Sequence, residues 1–193
     1  MVDACQIPEE VLYALSTEDL TDICLQYPLL TSIFAFNGLT DGLNVMYKDF
    51  NGIRELYKRA DASNCLTKRY IRKSESFSFL NENKSDLEKG NFIISISSLE
   101  ALLGQVVQYD NKNCKKILQC LVKAYEKKLK YADEFMWVGF ETNCFARAHV
   151  ISKMDKRFIE QLPGKDNSSA LFSGMADERT IKIVNEWSYR LIK

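Results

Sequence analysis

Apolar positions recur at helical spacing along nearly the whole chain. Leu20, Ile23, Cys24 and Tyr27 fill the i, i+3, i+4, i+7 template of an amphipathic helix, with Ser16 before them as N-cap and Asp19 as the capping acid. Pro28 takes a first-turn position, where its missing N–H costs nothing, and Leu29, Leu30, Ile33, Phe34 and Phe36 continue a new apolar face. Asn37-Gly38 is a stop signal, after which Leu39, Leu43, Met46, Tyr47 and Phe50 form a third face. Asn51-Gly52 breaks the pattern again. Ile53, Leu56 and Tyr57 supply a fourth face, and Asp61 is placed to cap a fifth helix carrying Ala62, Cys65, Leu66 and Tyr70.

Residues 71–83 are rich in Ser, Glu and Asn and read as a loop anchored by Phe77, Phe79 and Leu80. Ser85-Asp86-Leu87-Glu88 is a capping box that opens the next helix. Ile94-Ser95-Ile96-Ser97 alternates like a strand, yet Leu99, Leu102, Leu103, Val106 and Val107 are helical in spacing, and a lone strand would lack a partner. A long helix is therefore expected there. A second runs from Asn111 to about Tyr131, with Cys114, Ile117, Leu118, Leu121, Val122, Tyr125 and Leu129 inside and Lys112, Lys116, Lys123, Lys127 and Lys130 outside. Residues 133–139 read as a turn, 142–159 as a helix, 163–176 as the longest irregular stretch and 177–191 as a last helix.

These elements predict an all-α fold, a single domain over residues 1–193 with residues 1–6 as a flexible N-terminus. Its short packed helices suit either an irregular bundle or a superhelix-like stack of helical hairpins. A chain of 193 residues is long enough for one substantial core, and only 3 Pro and 8 Gly favour regular structure.

Charge adds a polarity along the chain. Residues 1–62 hold 10 acidic and 4 basic side chains, a balance of −6, and residues 111–157 hold 5 acidic and 11 basic, a balance of +6, within a net charge of zero. Mutual complementation of the two segments, within the fold or between copies, accounts for this better than a dedicated binding face. No run of 18 apolar residues occurs, so no transmembrane segment is expected, and the chain as given carries no signal peptide. Val2-Asp3-Ala4-Cys5 resembles the tail of a lipoprotein cleavage site, but Asp3 fits poorly and chance explains it better.

The six cysteines lie far apart in sequence and include no CxxC, so most are expected to be buried free thiols. His149 is the only histidine. Two-histidine metal sites and HExxH are thereby impossible within one copy, and His149, four residues after Phe145 on a helical segment, reads as structural. Neither GxxxxGK nor GxGxxG is present. Acid clusters occur at Glu18, Asp19 and Asp22, which suit a helix N-terminus, and at Asp133, Glu134 and Glu141, in a Trp- and Phe-rich segment of the kind that suits a carboxylate site. Phe135, Met136, Trp137 and Phe140 cluster near the expected turn, and Leu171, Phe172 and Met175 lie in the irregular stretch. Exposed together they would form a protein-binding patch, although such residues more often fold back to plug the core.

The succession Ser16-Thr17-Glu18-Asp19-Leu20, Tyr27-Pro28-Leu29-Leu30, Phe34-Ala35-Phe36-Asn37, Phe50-Asn51-Gly52 and Lys58-Arg59-Ala60-Asp61-Ala62 resembles the N-terminal region of uncharacterised exported proteins from gut bacteria. It covers about residues 7–70. The resemblance implies a helical fold and a periplasmic, cell-envelope or secreted setting, and supplies no catalytic residues. The expected function is a non-catalytic binding or interaction module without metal or organic cofactor, engaging another protein through Phe135, Trp137, Phe140 and Phe172. The alternatives are a hydrolase with a carboxylate site near Asp133, Glu134 and Glu141, and a nucleic-acid binder using the Lys112–Lys130 stripe.

Overall fold

Side-chain caps open three of the helices, two of them at the residues that the sequence marks. Helices α1 (Glu9–Ala14) and α2 (Thr17–Leu25) open the chain, and the Ser16 hydroxyl accepts from the Asp19 N–H at 3.1 Å to cap α2. In the capping box of α6 (Asp86–Val106), Glu88 N–H donates to Ser85 Oγ at 3.3 Å while Ser85 N–H donates to the Glu88 carboxylate at 2.9 Å. Asp177 caps the C-terminal helix by accepting from Thr180 N–H at 2.7 Å. The computed structural model describes residues 5–106, 113–163 and 176–193, and among these no strand occurs.

Between α2 and α3 (Leu39–Asp49) the chain differs from the expected α-helix and forms a 3₁₀ helix, Leu30–Ala35. Three residues per turn align Leu30 and Ile33, both buried. Gly42 of α3 meets this segment backbone to backbone, since a Cβ at Gly42 would stand 2.3 Å from the Ile33 carbonyl oxygen. Asn51 begins α4 (Asn51–Leu56) and also holds the N-terminal segment: its side-chain amide accepts from Ile7 N–H at 3.0 Å and donates to Ile7 O at 2.7 Å. Gln6, expected in a flexible terminus, donates to Asp49 O at 2.7 Å; residues 1–4 lie outside the described residues.

Asp61 precedes α5 (Ala62–Glu75) without capping it. Its carboxylate instead accepts from Thr17 Oγ1 at 2.7 Å, which ties the start of α2 to the start of α5. The expected loop at 71–83 is helical for most of its length, with α5 reaching Glu75 and a 3₁₀ helix at Ser76–Asn81. Phe77 and Leu80 anchor it in the core as their spacing implied.

Helix α6 runs through the middle, with residues 96–104 buried on every side. It packs most extensively on α8 (Ala132–Met154), which also meets α7 (Cys114–Lys128), and on α5. Gly104 lets α6 and α8 approach closely, because a Cβ there would stand 3.0 Å from Ala146 Cα. A 3₁₀ turn, Leu129–Tyr131, joins α7 to α8, and α9 (Arg157–Glu160) and α10 (Glu178–Ile192) complete the described chain. Contacts such as α2 with α5, α3 with α6 and α6 with α8 skip sequence neighbours, so the all-α single domain is an irregular bundle rather than a stack of hairpins.

All six cysteines are free thiols, and Cys24, Cys65, Cys114 and Cys144 are buried. No helix among the described residues is long and apolar enough to cross a membrane.

Candidate functional site

The segment 133–139, expected as a turn, is the start of α8 with a break inside it. Met136 has φ 47° and ψ −164°, ground that glycine occupies easily and a residue with a Cβ holds at a cost of about 1–3 kcal/mol. The neighbouring packing accounts for the break. Phe135 turns inward and is 1% exposed, with its ring centroid 5.2 Å from that of Phe77 and 4.9 Å from Lys128 Nζ. Its ring occupies the space beside Gly139, where a Cβ would stand 2.6 Å from Phe135 Cδ1. Fitting Phe135 between Gly139 and Phe77 leaves the next two side chains outside: Met136 is 63% and Trp137 58% exposed.

Trp137 stands beside a small cleft between the start of α8 and the chain linking the first 3₁₀ helix to α3. Phe34, Phe36, Leu39, Trp137, Val138 and Glu141 line it, and it encloses ≈ 70 Å³. Glu141 is the one charged residue lining this cleft. It takes part in no hydrogen bond or ion pair among the described residues, and burial raises its carboxyl pKa above the ordinary value. Asn37 and Thr142 add polar groups to the lining.

Thr142 also belongs to a second, closed constellation one layer deeper. Its Oγ1 donates to Glu100 Oε2 at 2.8 Å, and Lys128 Nζ donates to the same oxygen at 2.6 Å and to Gly139 O at 2.6 Å. Glu100 Oε1 accepts from Tyr70 Oη at 2.7 Å and from Asn143 Nδ2 at 2.9 Å. Helices α5, α6, α7 and α8 each contribute, and every one of these side chains is buried. Burial pushes the Lys128 ammonium pKa down, the Glu100 carboxylate opposes that shift, and the Tyr70 phenol is raised well above its ordinary value by burial first and Glu100 second. The group holds four helices in register around a satisfied carboxylate.

Arg147, one turn further along α8, is fully buried with its guanidinium 4.3 Å from the Tyr125 ring centroid. Its Nη1 donates to Asn185 Oδ1 at 2.7 Å, while Nε and Nη2 have no partner among the described residues.

The residues singled out in sequence therefore separate. Trp137 lies at the cleft, Phe140 is half-buried with its ring 5.9 Å from that of Tyr125, Phe135 is core, and Phe172 lies outside the described residues with Leu171 and Met175. Phe135 thus corrects the expected patch: its ring wedges the core and leaves its two successors exposed. Of the three acids, Glu141 lines this cleft and Asp133 and Glu134 do not. Among the lysines, Lys116, Lys123 and Lys130 are exposed, Lys127 donates to Ser74 O at 3.0 Å, and Lys112 lies outside the described residues. His149 is buried, its ring centroid 4.3 Å from that of Phe145, and burial lowers its pKa to about 3, so the imidazole is neutral at neutral pH. Among the described residues no three His, Cys, Asp or Glu side chains gather as a metal site.

Sequence reasoning passed over Glu100 and Lys128. The available signal was a charge on an apolar face: Lys128 follows Leu121 by seven and Tyr125 by three on the inner side of α7, and Glu100 sits between Ile96 and Leu103. Comparison with known protein families, with curated proteins and with solved structures finds no match for this chain.

Proposed function

We propose that the protein is a non-catalytic binding module that engages a partner protein at the Met136–Trp137 ledge and the adjoining cleft. The observation that carries this reading is the backbone of Met136. A side-chain-bearing residue held at positive φ is sustained only by surrounding structure, and such strain concentrates at functional positions. Here it coincides with two large exposed apolar side chains, of a kind that dominates protein interfaces. An envelope or secreted setting rests on the resemblance over residues 7–70 alone.

The reading is tested by panning a displayed random-peptide library against the protein and against its Trp137→Ala variant. Peptides are expected to enrich on the wild type and to lose about tenfold or more in affinity on the variant, as for an interface anchor. Failure of any peptide to enrich, or equal binding to both proteins, overturns it.

A further inference from the structure

The cleft beside Trp137 combines two features that an apolar anchor alone does not call for. Three aromatic residues, Phe34, Phe36 and Trp137, line it, and so does a carboxylate, Glu141, on which burial acts with no cationic or hydrogen-bonding partner among the described residues. Aromatic faces carry negative potential and attract cations, and an unpaired carboxylate in a half-dry site favours a positive partner still more strongly. Thr142 does not supply the hydrogen bond, because its hydroxyl proton is directed to Glu100.

Resting on the binding-module reading, we infer that the cleft takes the ammonium end of a lysine side chain from the partner protein, held by Glu141 and the aromatic residues around it. The space of ≈ 70 Å³ in this open cleft suits the end group of one side chain. Glu141 offers oxygen acceptors to the N–H donors of an ammonium, whereas a quaternary ammonium headgroup, which has no N–H, would meet the carboxylate and the aromatic faces by charge alone and forgo those hydrogen bonds. The exposed Met136 and Trp137 side chains extend the apolar surface outward, where a methylene stem lies while its charge reaches the carboxylate. The occupant is accordingly a basic side chain on a polypeptide.

The chain has two tryptophans, so the indole N–H resonances of Trp137 and Trp187 report the cleft and the core separately. Titration of the ¹⁵N-labelled protein with N-acetyl-lysine methylamide is expected to shift the Trp137 signal and leave Trp187 unmoved. The neutral isostere N-acetyl-norleucine methylamide should bind about tenfold more weakly, and Glu141→Gln should abolish that difference. Equal binding of the two probes to the wild type overturns the lysine assignment and leaves the apolar docking reading standing. Tighter binding of choline than of the lysine probe overturns it in favour of a headgroup. A Trp137 signal that moves with protein concentration alone, and ceases to in Glu141→Gln, makes the occupant a second copy of this chain. If no probe moves Trp137 and no peptide enriches on the ledge, both readings fall together.

Discussion

Two carboxylates on adjoining helices, Glu100 of α6 and Glu141 of α8, stand on either side of Thr142 and have opposite surroundings. Glu100 is wholly buried and accepts from Tyr70, Lys128, Thr142 and Asn143, so both of its oxygens are saturated. Glu141 is half-exposed among aromatic residues and is bonded to nothing in the described chain. Depth alone would assign the buried acid to chemistry and the surface acid to solvation. Satisfaction points the other way: a fully bonded charge has no capacity left for a ligand, whereas a desolvated, unbonded one is stabilised by any cation that arrives.

The contrast predicts unequal costs. Glu100→Gln or Lys128→Met strands the other charge in the core and should lower unfolding free energy by about 3–5 kcal/mol in urea titration. A paired Glu100→Leu, Lys128→Met variant should recover a large part of that loss; a double variant as unstable as the singles would show that the ions themselves, rather than their imbalance, matter. Purely apolar positions set the scale. Leu20→Ala and Ile117→Ala, both at fully buried sites, should cost about 2–5 kcal/mol, and a loss below about 1 would contradict their place in the core.

At the ledge the direction reverses. Met136→Gly should stabilise the protein by about 1 kcal/mol, because glycine relieves the positive φ and little buried surface is lost, while peptide binding at the ledge weakens. Destabilisation would show that the Met136 side chain itself holds the break. The smallest effect belongs to Glu141. Its folded pKa lies above the unfolded value of 4.5, so the native state binds more protons, and stability falls as pH rises from 4.5 through the raised folded pKa. Glu141→Gln should flatten the stability–pH curve in that window and gain no more than about 0.5 kcal/mol at neutral pH. An unchanged curve would mean that the carboxyl is already well solvated.

Much of the bundle could be read from sequence because its helix starts are signalled locally. Ser16 and the Ser85–Glu88 box each act within three residues of themselves and are found as the pattern implied, and Asp177, read as the first residue of the last helix, is its cap. Asp61 shows where such reading ends: its side chain serves Thr17, 44 residues away, instead of its own helix. The 3₁₀ segment at Leu30–Ala35 and the helical course of 71–83 depend on what packs over them, Gly42 and Phe92 among the neighbours, and local composition carries no record of that. At the candidate site the aromatic cluster and Glu141 were legible as residues. Their division into core and surface was not, because it turns on the Phe135 ring fitting beside Gly139, a contact that periodicity does not encode.

The four-helix clamp on Glu100 also bears on how the chain comes apart. Its hydrogen bonds join residues 28 to 43 positions apart in sequence, so each forms only when α6 has docked with α5, α7 or α8, and the set is complete only when all four helices are in place. Interactions completed after the folding barrier act on the rate of escape from the native state and scarcely on the rate of arrival. Glu100→Gln should therefore raise the unfolding rate at every denaturant concentration while refolding proceeds almost unchanged, and the buried ion pair would work as a latch whose measure is lifetime.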